Sequence, residues 1–180
     1  MKRQSRLLLV SAIILMLIVP IIYAQAVIKR IERAVSIPEK ERKPAPEFAG
    51  TTLEGSAMRL ADLRGKVVVL NFWYVACGPC RAEIPGLNRL VQEFDKGDVV
   101  FIALALDKAD KLRLFLKEIP FRYQLMSEAG ATAELYGVQA YPGHILIDRK
   151  GRIAHVIRGG IDKIEDILRP LITGLSQESK

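Results

Sequence analysis

Hydrophobic and polar positions follow two kinds of pattern along residues 45–180. Two runs, 66–73 and 98–106, are almost continuously apolar and rich in β-branched residues, which predicts strands buried on both faces of a sheet. Other stretches have apolar residues every three or four positions, the spacing of an amphipathic helix. These stretches cover residues 80–94, 108–117, 131–136 and 161–171. A shorter strand is predicted at 121–125.

Turn signals mark two hairpins, one near each end of this region. Gly55 divides the segment 51–60, and Asp148-Arg149-Lys150-Gly151 joins predicted strands at 144–148 and 152–157. Strands that alternate with helices and end in an antiparallel hairpin are typical of an α/β fold with a central mixed sheet. The sequence therefore predicts one α/β domain over residues 45–175, followed by a short tail at 176–180.

A membrane-directed pattern precedes this domain. Residues 1–6 are basic, and residues 7–28 contain no charged side chain. At about 1.5 Å per residue such a stretch reaches about 33 Å as a helix, enough to cross a hydrocarbon core of about 30 Å. We therefore predict a single transmembrane helix, a signal-anchor that binds the lipid bilayer. Ala24-Gln25-Ala26 also fits the rule for signal peptidase, so an export signal cleaved after Ala26 is the alternative.

Charge is distributed unevenly between this N-terminal part and the domain. Residues 29–44 combine a short amphipathic pattern with prolines and charges, which predicts a juxtamembrane helix followed by an extended linker. Residues 1–44 hold nine basic and three acidic side chains, whereas residues 45–180 hold 18 basic and 17 acidic ones. The domain is thus nearly neutral, which argues against a nucleic-acid partner. Basic residues lie on both sides of the span, and the positive-inside rule alone would place the domain in the cytoplasm. The resemblance of the N-terminus to an export signal and the cysteine chemistry described below favour the opposite orientation.

Two cysteines lie between the first buried strand and the helix that follows it. The N-terminus of a helix presents unpaired N–H groups and the positive end of the helix dipole, which stabilise a thiolate at Cys77. Gly78 allows a tight turn, and Pro79 presets the first helical φ. Cys80 is thereby placed one turn inward, where its thiol can attack a mixed disulfide formed by Cys77. We expect Cys77 to be an exposed nucleophile and Cys80 a shielded resolving cysteine.

Other roles for a cysteine pair fit the sequence less well. A structural disulfide across a four-residue loop would constrain little of the unfolded chain. Zinc would need two further ligands, and the two histidines available, His144 and His155, are eleven residues apart, whereas paired zinc-binding histidines are usually separated by about three to five residues. Covalent haem attachment needs a histidine after the second cysteine, where this chain has Arg81. Thiol–disulfide exchange is favoured, with no metal and no cofactor beyond the cysteine pair.

Three segments carry a resemblance to a known family. They are KPAPEF at 43–48, GKVVVLNFWYVACGPCRAEIPGLNRL at 65–90 and YGVQAYPGHILIDRKGRI at 136–153. With these segments the chain resembles the membrane-anchored thiol-disulfide oxidoreductases of the TlpA/ResA type, within the thioredoxin superfamily. The resemblance implies a thioredoxin-like fold with an added N-terminal hairpin and a central insertion within residues 107–136.

The resemblance also implies roles for individual residues. Cys77 and Cys80 match the family's nucleophilic and resolving cysteines. Pro142 matches its cis proline, so the Tyr141–Pro142 bond is predicted to be cis and the Tyr141 backbone to pair with a substrate chain. Glu83 matches an acidic residue that the family places three positions after the resolving cysteine. One helical turn from Cys80, its carboxylate is expected to exchange protons with the thiols, and a first-turn glutamate favoured only by the helix dipole is the alternative.

Four further positions complete the predicted site and its surroundings. Asn71 stands where thioredoxin has a buried aspartate, and an amide cannot accept a proton, which leaves acid–base work to Glu83 or to water. Trp73 is expected to be a core residue that also shapes the substrate groove. His144 is interpreted as structural, with lining of the site as the alternative, and His155 as a surface residue of its strand.

These expectations define a membrane-tethered reductase of protein disulfides whose domain faces the periplasm or an equivalent extracytoplasmic space. Its predicted partners are disulfide-bearing envelope proteins, among which the resemblance implies apocytochrome c, and a membrane electron donor that re-reduces the cysteines. A tethered binding or chaperone module without catalysis is one alternative. A thiol peroxidase is another, but related peroxidases need a threonine and a proline where this chain has Tyr74 and Leu70.

Overall fold

The computed structural model describes residues 16–23, 25–27, 29–30, 34–94 and 96–178. The chain divides into two units, Met1–Ala34 and Val35–Lys180. In the first unit the described residues at 16–23, 25–27 and 29–30 are helical, and much of the predicted span, together with residues 1–6, lies outside the described residues. No helix within the described ranges has both the length and the apolar character needed to cross a bilayer.

The second unit contains the predicted alternation of strands and helices. Its strands are β1 (Ala49–Thr51), β2 (Ala57–Arg59), β3 (Val67–Trp73), β4 (Val99–Ala105), β5 (Gln124–Met126), β6 (Gly143–Ile147) and β7 (Ile153–Arg158). Its helices are α1 (Gly78–Glu93), α2 (Ala109–Leu116), α3 (Gly130–Leu135) and α4 (Ile164–Gln177), with 3-10 helices at Glu39–Glu41 and Leu60–Leu63. Helix α4 continues past the predicted end at 171 because Leu171, Ile172 and Leu175 are buried in the core.

Five strands form one mixed sheet in the order β5-β4-β3-β6-β7. β3 pairs in parallel with β4 and antiparallel with β6, so the predicted α/β fold with a central mixed sheet is confirmed. β5, the edge strand, comes from the segment predicted as the central insertion, together with α2 and α3. The predicted N-terminal hairpin is present as the antiparallel pair β1 and β2.

The central strands β3, β4 and β6 are buried along their whole length. Val68, Leu70 and Phe72 of β3 belong to a core that includes Phe48 and Met58 from the hairpin region. Because side chains alternate across a strand, Asn71 lies on the opposite face, where it is paired in register with His144 of β6. One face of the sheet therefore packs on this core, and the other, towards α1, buries Asn71 and His144 among further apolar side chains.

Residues 36–44, predicted as an extended linker from their prolines and charges, pack against the domain. Ser36 forms an antiparallel bridge with His155, and Pro44 forms one with Arg152, so the segment lies along the edge of β7. Proline is tolerated at such an edge, where its missing N–H is not required for sheet pairing. The second compact unit, which begins at Val35, includes this segment. His155, expected at the surface, is only 6% exposed because this segment covers it.

The charges of this segment also find partners in the domain. The Arg42 guanidinium lies 3.2 Å from the buried carboxylate of Asp148 and 2.7 Å from that of Glu178. Burial alone would raise the pKa of Asp148, but hydrogen bonds from Arg152 and Arg42 outweigh it and hold that pKa below its ordinary value. Arg42 thereby joins the β6–β7 turn to the end of α4, which the prediction had placed in a tail.

Candidate active site

The end of β3 and the start of α1 position the two cysteines. Cys77 is the N-cap residue of α1, and its backbone N–H donates to the carbonyl of Tyr74 at 3.0 Å. The side chain of Cys77 accepts a hydrogen bond from the backbone N–H of Cys80, with a distance of 3.2 Å from that nitrogen to Sγ. The two residues are joined by a disulfide bond, so the structure represents the oxidised form. A sulfur that accepts an N–H at a helix N-terminus is well placed to be stabilised as a thiolate once the bond is reduced.

The predicted contrast between an exposed Cys77 and a shielded Cys80 is not present in this form. Each of the two residues is 3% exposed. The disulfide holds the Cys77 sulfur against the sulfur of Cys80, so the two residues are buried together. Their neighbours Ala76, Gly78 and Pro79 are exposed and form the rim around them.

A second loop reaches the same end of the sheet. The Tyr141–Pro142 peptide bond is cis, as predicted. Gly143, which follows it, is paired in register with Phe72, so Pro142 comes beside the end of β3, from which the cysteine loop starts. The Tyr141 ring lies edge-on against the ring of Tyr74, with 5.5 Å between ring centroids. The pairing of the Tyr141 backbone with a substrate chain stays a prediction.

A third loop, which connects β7 to α4, closes the site from another side. The backbone N–H of Gly159 donates to the carbonyl of Pro142 at 2.9 Å. Gly160 has no room for a side chain, since a Cβ there would lie 2.7 Å from Cβ of Pro79. The loops that carry the cysteine motif, the cis proline and Gly160 therefore meet at one edge of the sheet.

The carboxylate of Glu83 lies beneath this junction. Glu83 is 6% exposed, and its Oε1 accepts a hydrogen bond from the backbone N–H of Ile161 at 3.0 Å. Its Oε2 lies 3.0 Å from Nε2 of His144, whose other ring nitrogen, Nδ1, lies 3.4 Å from Nδ2 of Asn71. The structure thus brings Asn71 and Glu83 together through a histidine that the sequence interpretation treated as structural. Only the pairing register of β3 with β6, which aligns His144 with Asn71, shows that His144 belongs to this site.

A cleft of about 450 Å³ opens beside Pro79 and Glu83, between α1 and the start of α4. Its wall includes Ile161, Lys163 and Arg89. Arg89 forms an ion pair with Glu165 at this wall. In the described part of the chain, no group of three or more His, Cys, Asp or Glu side chains is arranged to hold a metal ion. Pro79, which immediately precedes Cys80, places this cleft next to the cysteine motif.

Trp73 does not line this cleft. It is completely buried, and its ring lies 5.5 Å from the ring centroids of both Phe115 and Phe121. α2 and the segment after it cover the end of β3, which removes Trp73 from any direct contact with substrate in this form. Its expected place in the core is confirmed, whereas its complete burial argues against the predicted role in the substrate groove in this form. In the same cluster, burial and, to a lesser degree, the negative charge of Glu83 raise the pKa of Tyr123.

The comparisons with known proteins agree with this geometry. The model of the AhpC/TSA family matches residues 42–156. The thiol-disulfide oxidoreductase ResA of Bacillus thuringiensis subsp. konkukian is 35% identical over 133 residues, which are 72% of this chain and 77% of that protein. ResA of Geobacillus thermodenitrificans is 32% identical over 179 residues, 95% of this chain and 97% of the relative.

A solved structure extends the similarity to three dimensions. A protein of Chlorobium tepidum assigned as the thiol:disulfide interchange protein DsbE superposes with a TM-score of 0.70 at 31% sequence identity, over 75% of this chain and 96% of that one. The fold is therefore thioredoxin-like, as the resemblance implied. A chain with a redox-active pair of cysteines in this fold and with these relatives belongs to the ResA-type thiol-disulfide oxidoreductases of the AhpC/TSA family.

Proposed function

We propose that this oxidoreductase is a membrane-tethered reductase of protein disulfides that acts outside the cytoplasm. The observation that carries the proposal is the disulfide between Cys77 and Cys80 at the N-terminus of α1, with a buried carboxylate one helical turn further on. In the reduced protein, the Cys77 thiolate attacks a substrate disulfide, and one substrate sulfur leaves as a thiolate. Cys80 then attacks Sγ of Cys77, which releases the other substrate sulfur and restores the disulfide. Two electrons pass from the cysteine pair to the substrate, and no further cofactor is needed.

Glu83 is the proposed proton acceptor for the second of these attacks. Residues three apart on a helix share a face, so Cys80 and Glu83 are neighbours on the buried side of α1. The thiol of Cys80 must lose its proton to become a nucleophile, and a positioned carboxylate can take that proton. Gly78 and Pro79 hold the turn that keeps the two sulfurs together, and the substrate chain is expected to pass beside Tyr141 and Pro142.

The direction of electron flow and the tether rest on separate support. A Gly-Pro dithiol of the thioredoxin kind has a reduction potential of about −270 mV, whereas a strong oxidant has one of about −120 mV. Such a dithiol therefore serves as a reductant in an oxidising compartment. The uncharged stretch at 7–28 supports a single span, with cleavage after Ala26 as the alternative. Envelope proteins with disulfides, apocytochrome c among them, are the proposed substrates, and a membrane electron donor restores the dithiol.

Trapping of mixed disulfides tests the reaction. Full-length protein with Cys80→Ser, expressed in its membrane, should accumulate adducts between Cys77 and envelope proteins that disappear on treatment with dithiothreitol. The matched control is Cys77→Ser, which keeps the shielded thiol and should trap far less. If neither variant forms adducts, or both form them equally, the assigned order of attack is wrong. A chaperone without catalysis would keep its cellular phenotype in Cys77→Ser, whereas the reductase would lose it.

Two measurements test the direction and the location. Equilibration of the full-length protein with glutathione or dithiothreitol buffers should give a reduction potential of about −270 mV for the cysteine pair. A value above about −180 mV would indicate an oxidant or an isomerase instead. A maleimide that cannot cross membranes should label Cys77 of the Cys80→Ser variant in intact spheroplasts as fast as a permeant one does. Labelling only after lysis would place the domain in the cytoplasm.

A further inference from the structure

His144 is a completely buried titratable residue with a polar partner at each ring nitrogen. Its Nε2 lies 3.0 Å from Oε2 of Glu83, and its Nδ1 lies 3.4 Å from Nδ2 of Asn71. The pairing of β3 with β6 sets this arrangement, because it aligns Asn71 with His144 on the face of the sheet that α1 covers. A buried imidazole held between two polar side chains has a defined hydrogen-bonding role.

The partners determine which ring nitrogen carries the proton. The amide nitrogen of Asn71 can only donate, so Nδ1 of His144 accepts. A neutral imidazole then has its proton on Nε2, and Nε2–H donates to Oε2 of Glu83. Together with the backbone N–H of Ile161, the Glu83 carboxylate receives two N–H donors, one at each oxygen. These two contacts fix the orientation of the Glu83 carboxylate.

We propose that His144 is a positioning residue for thiol–disulfide exchange: as the Nε2–H tautomer set by Asn71, it holds Glu83 as an oriented carboxylate that accepts the proton of Cys80. This inference rests on the proposed function, in which Glu83 is that acceptor. In the resolving step the proton moves from Sγ of Cys80 to Glu83, and the electron pair left on that sulfur forms the bond to Sγ of Cys77. The bond between Cys77 and the substrate breaks, and the substrate sulfur leaves with its electron pair and takes up the proton.

The other groups around this pair do not substitute for His144. The hydroxyl of Tyr123 keeps its proton, because burial and then the charge of Glu83 raise its pKa. Arg89 is engaged by Glu165 in an ion pair. Asp162 and Lys163, just before α4, line the same cleft as Glu83, and the two cysteines at the start of α1 are joined in the disulfide. Among the described side chains, His144 is the one that forms a hydrogen bond with the Glu83 carboxylate.

The rate of the resolving step as a function of pH tests the proposal. A mixed disulfide between Cys77 and a reporter peptide is formed on the full-length protein, and peptide release is followed from pH 5 to about pH 9. His144→Leu removes the N–H donor, so release should slow about tenfold at neutral pH and the acid limb of the profile should move to higher pH. His144→Gln restores an N–H donor that cannot titrate and should recover most of the rate. His155→Leu replaces the other buried histidine and should leave the profile unmoved.

Further variants separate this inference from the function on which it rests. Glu83→Gln should slow release about a hundredfold. If Glu83→Gln releases peptide at the wild-type rate, the proposed role of Glu83 fails; if it is slow but His144→Leu is not, only the role of His144 fails. A His144→Gln variant as slow as His144→Leu would also overturn the positioning role. Should the substitutions prevent folding, ¹⁵N NMR of the wild-type imidazole decides, since a proton on Nδ1 at neutral pH contradicts the proposed tautomer.

Discussion

Lowering the pH from neutrality should destabilise the folded unit Val35–Lys180 through His155. Burial, followed by the positive charge of Arg42, lowers the pKa of His155 from 6.5 to about 4. In the unfolded chain the imidazole has its ordinary pKa, so over this range the unfolded protein binds a proton that the folded protein does not. The free energy of unfolding is therefore unaffected above pH 6.5 and falls progressively towards pH 4.

The size of this effect follows from the difference between the two pKa values. At about 1.4 kcal/mol per pH unit, a fall of the pKa from 6.5 to about 4 corresponds to about 3 kcal/mol. Domains of this kind are stable by only about 5–15 kcal/mol, so a single histidine would remove a substantial share of the total.

Urea unfolding of the oxidised full-length protein measures this loss, with the fluorescence of Trp73, the one tryptophan of the chain, as the signal. Between pH 7 and pH 4 the wild type should lose about 3 kcal/mol more than His155→Leu, which cannot titrate at this position. Carboxylates that become protonated in the same range contribute equally to both proteins and cancel in the difference. Equal losses in the two proteins, or an imidazole that titrates near 6.5 in the folded protein, would refute the reasoning.

Three substitutions test other contacts. Gly160→Ala places a Cβ 2.7 Å from that of Pro79, so it should displace the loop beside the cysteines and slow peptide reduction about tenfold, which stopped-flow fluorescence would detect. Gly174→Ala, in an open position of α4, should leave that rate unchanged and raise the free energy of unfolding by about 0.5–1 kcal/mol. Arg42→Met should lower the free energy of unfolding by about 2 kcal/mol at pH 7, because it removes the ion pairs with Asp148 and Glu178. That loss should shrink as the pH falls through the pKa of Asp148, which lies below 3.8, and a constant loss would contradict the pairing.

The parts of this fold that depend on local pattern could be predicted from the sequence. The apolar run that forms β3, the turn residues of the β6–β7 hairpin and the cysteine motif before α1 each carry their signal within a few neighbouring residues. The cis bond before Pro142 followed from the resemblance. Predicting these features does not require knowing which distant residues pack against them.

The features that were missed depend on distant partners. Prolines and charges made residues 36–44 look like a linker, and only the edge of β7 and the carboxylates that Arg42 meets order them. His144 looked structural because its partners lie on two other elements, β3 and α1. Trp73 was also expected to shape the substrate groove, because the insertion that covers it is specified by residues far along the chain.

The segment along β7 also has a consequence for self-association. An unpaired edge strand offers a row of free N–H and C=O groups to other chains, and many sheet proteins avoid aggregation by covering such edges. Here the chain's own residues 36–44 occupy part of that row, while the opposite edge strand, β5, has only three residues. Copies of this chain would thus be hindered from joining sheet to sheet along β7, and a chain shortened to begin at residue 45 would lose that protection.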